Sequence, residues 1–169
     1  MISQDLLDTV RDGFALSLDG IHGEAHWRRV LDNGNRLAQQ TGADLEIVEF
    51  FAFLHDAKRQ NDGWDREHGL RGAAFVEGLP GSLLPLSDEK RDLLVYAIAH
   101  HSDGLTEADV PQAEAITVQT CWDADRLDLG RIGIRPHPKY LCTEAAKDPA
   151  VMTWALQRSW GQETSSPAQ

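Results

Sequence analysis

Apolar residues recur at helical spacing along almost the whole chain, at positions three and four apart, and no stretch alternates with the period of two that marks a strand. The reading is all-α. Helices are expected over residues 3–17, 23–41, 44–60, 66–79, 87–102, 112–130 and 148–160. Several ends are punctuated: Gly42 is a C-terminal stop, Ser87 with Asp88 and Glu89 behind it is a helix start, and Asp148-Pro149 reads as an N-cap followed by proline at the first helical position. LPGSLLP and RPHPK are loops by composition, and residues 162–169, ending ETSSPAQ, form an expected frayed tail.

Some of these apolar stripes carry a polar residue in line. Leu45, Val48, Ala52 and His55 are spaced three, four and three, so His55 points inward with Asp56 next round the helix. His26 is in line with Val30 and Leu37, His101 follows Ile98 by three, and Asp125 falls on the stripe of Val118, Trp122 and Leu129. His68 opens HGLRGAAFVEGL, where Gly72 and Ala73 permit a close helix approach. An unpaired buried carboxylate costs several kcal/mol, so a shared cation is the economical reason to bury several such groups together. Imidazole and carboxylate without cysteine favour Mn, Fe, Co, Ni or Zn over a soft metal or a structural zinc site.

Composition narrows the partners. The 169 residues suit one domain, and the net charge of −11 argues against duplex nucleic acid or an anionic membrane surface. Cys121 and Cys142 form no CxxC, no basic n-region precedes an apolar core, and no apolar run nears the ~18 residues of a span. A cytoplasmic protein is the expectation. Trp27, Trp122, Trp154 and Trp160 are assigned to packing.

HWRRV at 26–30, FLHDAKR at 53–59 and DADRLDLGRIG at 123–133 resemble, in order, the first-helix, HD and closing elements of the HD-domain superfamily of metal-dependent phosphohydrolases. The resemblance covers about residues 20–135 and implies one helical HD domain over 1–169. It makes His26, His55, Asp56 and Asp125 ligands of a first metal, with Asp123 the fallback for Asp125. HGLRGA and AIAHHSDG resemble elements of two-metal HD proteins, which adds His68 and His101 for a second ion with Asp56 bridging. Arg59 stands where the family's HDxGK has lysine, Lys58 stands where it has glycine, and the GYP element of cyclic-dinucleotide phosphodiesterases is absent.

The expected activity is hydrolysis of a small phosphorylated substrate, a nucleotide among the options, with one or two divalent ions per chain. Arg59, Lys58 and Arg29 are candidates to offset phosphoryl charge. His22, one turn before His26, is a candidate to support that ligand, and His100 to act on substrate or in proton transfer. Asn61, Asp62 and Trp64 lie in the loop that would shape specificity, while Asp128 and Arg131 are expected to pair with backbone or neighbouring helices. A mixed-valent diiron oxygenase and a non-catalytic metal-binding domain are the alternatives.

Overall fold

The computed structural model describes residues 2–160, and the expected tail at 162–169 lies outside them. Eight α-helices and no strand occur among the described residues. They are α1 Gln4–Gly13, α2 Glu24–Thr41, α3 Leu45–Leu54, α4 His68–Glu77, α5 Asp88–His100, α6 Gln112–Arg126, α7 Glu144–Lys147 and α8 Pro149–Trp160. None is long and apolar enough to cross a membrane.

The helix starts follow local chemistry. Asp44 Oδ1 accepts from Glu46 N at 2.9 Å to cap α3, Ser87 Oγ accepts from Lys90 N to cap α5, and Asp148 Oδ1 accepts from Ala150 N at 2.8 Å beside Pro149. Gly42 ends α2 with φ of 74°, a left-handed conformation that costs glycine nothing.

Three expected helices run too long and one helix was not expected. α1 stops at Gly13, because Phe14 turns extended, with φ of −80° and ψ of 123°. α3 stops at Leu54 rather than 60: Ala57 N bonds to Leu54 O and Arg59 N to Asp56 O, three residues back instead of four. α6 stops at Arg126 for the same reason, since Asp128 N bonds to Asp125 O and Leu129–Ile132 form a 3-10 turn closed by Gly133 at φ of 76°. α7 is a single turn started by Thr143, whose Oγ1 accepts from Ala146 N, and it lies too close to α8 for the apolar period to separate them.

α2 and α3 lie side by side with α6 across both, and the buried core runs through Trp27, Val30, Phe51, Leu54, Leu94, Ile98 and Trp122. A second apolar cluster joins Leu37 and Leu127 to Leu141, Ala146, Val151 and Ala155. The guanidiniums of Arg36 and Arg158 lie over the Trp154 ring, at 4.5 and 4.6 Å from its centroid, whereas Trp160 is exposed. Close approach of α4 to α5 depends on Gly69, where a Cβ would stand 2.7 Å from Ala99 O and 2.9 Å from Ile98 O. Backbone cannot yield as a side chain does. Gly69→Ala is therefore expected to lose about 1–2 kcal/mol in denaturant unfolding, even after the ~1 kcal/mol alanine gains in helix propensity. A loss under about 0.3 kcal/mol would show that the two helices are free to part.

Candidate metal centre

The tight turns after α3 and α6 decide the site. By ending α3 at Leu54, the chain sets His55 and Asp56 at a helix terminus, facing the α2 residue His26, the start of α4 at His68 and the end of α5 at His101. Asp125, on the last turn of α6, closes the ring.

Asp56 is at the centre. Its Oδ2 lies 3.7 Å from His26 Nε2, 3.6 Å from His55 Nε2 and 3.1 Å from His22 Nδ1. Its Oδ1 lies 3.3 Å from His68 Nε2 and 3.7 Å from His101 Nε2. Asp125 Oδ1 stands 3.4 Å from His26 Nε2 and 3.8 Å from His55 Nε2. Asp56 Oδ2 thus addresses three imidazoles, of His22, His26 and His55, and Oδ1 addresses two others, of His68 and His101. The donors form overlapping groups in which every ligand atom is within 4.8 Å of the others: His22, His26 and Asp56; His26, His55 and Asp125; His55, Asp56 and His101.

The tautomers follow from what the far ring nitrogens touch. His55 Nδ1 is 3.1 Å from Phe51 O and His101 Nδ1 is 2.7 Å from Ile98 O, while His68 Nδ1 meets Asp65 O. A carbonyl only accepts, so each Nδ1–H donates and each Nε2 turns a lone pair to the centre. His26 Nδ1 donates to Asp128 Oδ2 at 2.7 Å, which leaves its Nε2 lone pair facing that of His55 at 3.1 Å. Two lone pairs at that separation repel unless a cation lies between or beside them.

The electrostatics agree. Burial pushes His26 well below its ordinary value, with Arg131 adding to the effect, and pushes His55 down as well. Burial and the neighbouring His101 lower His68 to about 4. His101 alone is raised, because Asp56 outweighs its burial. The His68 and His101 Nε2 atoms, 2.8 Å apart, hold one proton between them at most. Burial opposes ionisation of Asp56 and Asp125, yet the imidazoles hold Asp56 well below the carboxylate range, and His55 with Arg131 brings Asp125 to about 2. Asp56 Oδ1 and Asp125 Oδ1 are buried with no hydrogen-bond donor. Orphaned anionic oxygens beside imidazoles that resist protonation, those of His26, His55 and His68, are the donor set that a borderline divalent ion completes.

Support comes from a buried pair that the sequence alone did not reveal. Arg29 Nε and Nη2 donate to Asp128 at 2.6 and 3.1 Å, and Asp128 in turn orients His26. Arg29 is therefore spent on Asp128 and does not line the cavity. The cavity, about 640 Å³, is lined by His22, Asp56, Arg59, His68, His101 and Asp125, and also by Trp64, Arg126, Leu129 and Arg131.

Of the remaining expected residues, Arg59 is at the site, with Nη1 3.2 Å from His68 Nε2 and 3.6 Å from Asp56 Oδ1. Lys58 turns to the opposite side, over the Phe75 ring and 3.4 Å from Gly13 O. His100 points outward and bonds Asp103 at 2.8 Å. Asp123 accepts from Cys142 N, Thr143 N and Thr143 Oγ1, so it anchors the following loop and is not at the cluster. His22 touches Asp56 directly. Arg131 donates to Asp128 O, as expected of it, but it also lines the cavity 3.8 Å from Asp125 Oδ1, and Arg126 lines it too. Neither cavity place was read from the sequence, where the only signal was their position in DADRLDLGR, Arg126 next to Asp125 and Arg131 three residues after Asp128.

The architecture is the HD-domain helical fold. It is similar to the crystal structure of a predicted HD superfamily hydrolase from an uncultured Thermotogales bacterium, with a TM-score of 0.65 and 24% identity over 95% of this chain and 91% of that one. No family model and no curated protein matches the chain.

The lowered imidazoles set a pH dependence for the metal-free protein. Unfolded histidines take up protons near pH 6.5, whereas folded His68 waits until about 4 and His26 and His55 also resist. The unfolded chain then binds more protons below pH 6.5, so stability falls as pH drops through that window, with His101 opposing in sign. The Tm of metal-free protein is expected to be lower at pH 5 than at pH 7; a constant or higher Tm at pH 5 would contradict these directions.

Proposed function

We propose that the protein is a metal-dependent phosphohydrolase acting on a small phosphorylated molecule. The observation that carries this reading is the two-sided carboxylate of Asp56, with one oxygen toward His26 and His55 and the other toward His68 and His101. His26, His55, Asp56 and Asp125 would hold one ion, and Asp56, His68 and His101 a second. Bound there, divalent ions lower the pKa of water toward neutrality and polarise a phosphoryl oxygen.

The chain's own residues supply the rest. His22, 3.1 Å from Asp56 Oδ2, fixes the tilt of the shared carboxylate. Arg59 offers guanidinium N–H groups at the cavity side of Asp56 and His68, where a planar fork suits phosphoryl oxygens. Its Nε and Nη2 already donate to Asn61 O and Gly63 O, which holds the fork in place before substrate arrives. Asp125, 16% exposed, faces the cavity.

Phosphate release from a panel of nucleotides and phosphate esters by Mn- or Fe-loaded protein, kept anaerobic, tests the proposal. Release without oxygen is expected. No phosphate released anaerobically, together with oxygen consumed by a separate iron-loaded sample in air, would instead establish the diiron oxygenase reading.

A further inference from the structure

We infer that Arg126 and Arg131 form a subsite for a second phosphoryl group, so that the substrate is a phosphoanhydride rather than a phosphate monoester. The inference rests on the phosphohydrolase reading for the position of the first phosphoryl group, between Arg59 and the six donors.

Four guanidiniums, of Arg59, Arg66, Arg126 and Arg131, line one cavity of a chain whose net charge is −11. The acidic groups that share the cavity offset them only in part. Asp65 is held by Arg71 and Asp103 by His100, while Asp56 and Asp125, which stand 3.6 Å from Arg59 and 3.8 Å from Arg131, are shared with the imidazoles. With divalent ions bound, the cavity carries a surplus of positive charge that one phosphoryl group does not balance.

Arg126 is the more telling of the pair. It is 9% exposed; its Nη1 donates to Tyr140 O at 2.9 Å and to Cys142 Sγ at 3.3 Å, while its Nη2 finds no acceptor in the protein. Arg131, whose side chain is 7% exposed, donates from Nη1 to Asp128 O at 3.2 Å and leaves Nε without an acceptor. Guanidinium N–H groups without acceptors are costly, and both arginines line the cavity, where a charged oxygen ligand can bond to the guanidinium face turned toward it. Arg131 stands next to Asp125, at 3.8 Å, whereas Arg126 contacts Tyr140, Cys142 and the Trp122 ring. Both arginines line the same cavity as the donors, Arg131 beside Asp125 and Arg126 on the side of Tyr140 and Cys142, so the cavity offers guanidinium groups beyond Arg59 for a second phosphoryl group.

The reaction balances simply. The oxygen of water bonds to the phosphorus held near Arg59, the bridging P–O bond breaks, and its electron pair leaves with the phosphoryl group on Arg126 and Arg131. The two protons of water are shared between the products and solvent.

Calorimetric titration of metal-loaded protein with methylenediphosphonate and methylphosphonate, together with turnover of ADP and p-nitrophenyl phosphate, tests this. The diphosphonate is expected to bind at least about tenfold more tightly than the monophosphonate. Arg126→Met should bring that ratio near one without a matching loss for the monophosphonate. Arg126→Lys, which retains charge but not the fork, should fall between, and covers the case in which the methionine variant fails to fold. Equal binding of the two phosphonates by the wild type, or a ratio unmoved by both variants, would overturn the inference. An Arg126-dependent preference with no turnover of either compound would uphold the subsite and overturn hydrolysis. Turnover of the monoester with equal binding would do the reverse.

Discussion

Asp56→Asn is expected to lower turnover by at least about a thousandfold, equivalent to ~4 kcal/mol of barrier, and to remove most of the bound metal from both halves of the site. The reason is geometric: the two oxygens of Asp56 are the atoms common to the His26–His55 and the His68–His101 pairs. An asparagine keeps the shape but loses the charge. It also loses the ionised form that the surrounding imidazoles favour in the folded chain, so at neutral pH the metal-free variant should unfold at a lower temperature than metal-free wild type. Elemental analysis and thermal unfolding of the same samples check both halves. A variant that retains metal and activity would show that Asp56 is not the shared ligand.

Asp128→Ala has the largest expected effect on stability. It leaves Arg29 as a buried charge without a partner, which costs about 3–5 kcal/mol, and for a chain of this size lowers Tm by roughly 6–20 °C. It also takes the acceptor from His26 Nδ1, so metal affinity should fall about 10–100-fold in the protein that remains folded. Denaturant unfolding and a competitive metal titration separate the two losses. The double variant Arg29→Met, Asp128→Leu should recover much of the stability, because it removes both charges, and none of the affinity.

How far the sequence led depends on whether the information was local. Helix stripes and caps are local, which is why Gly42, Ser87 and Asp148 marked true ends. The inward direction of His26, His55 and His101 followed from the same period. The end of α3 did not, since apolar residues continue to Ala57 and only a change to bonds three residues back stops the helix at Leu54. Neighbouring residues lie about 100° apart on a helix, and with His101 facing the cluster His100 turns outward, to Asp103. Lys58 beside Arg59 diverges in the same way, toward Phe75. The pair of Arg29 and Asp128 spans 99 positions, and nothing in the spacing of a single helix tells an arginine which distant carboxylate it will meet. The place of Arg126 and Arg131 in the cavity was hidden for a related reason: spacing gives a face, whereas the cavity is made by elements as distant as Trp64 and Ile132.

Ion content per chain, paired with anomalous diffraction at the metal edge, tests the central claim most directly. Two ions bridged by Asp56 are predicted, one lost with His55→Ala and the other with His68→Ala or His101→Ala. A single ion that survives substitution of both His68 and His101 would contradict it.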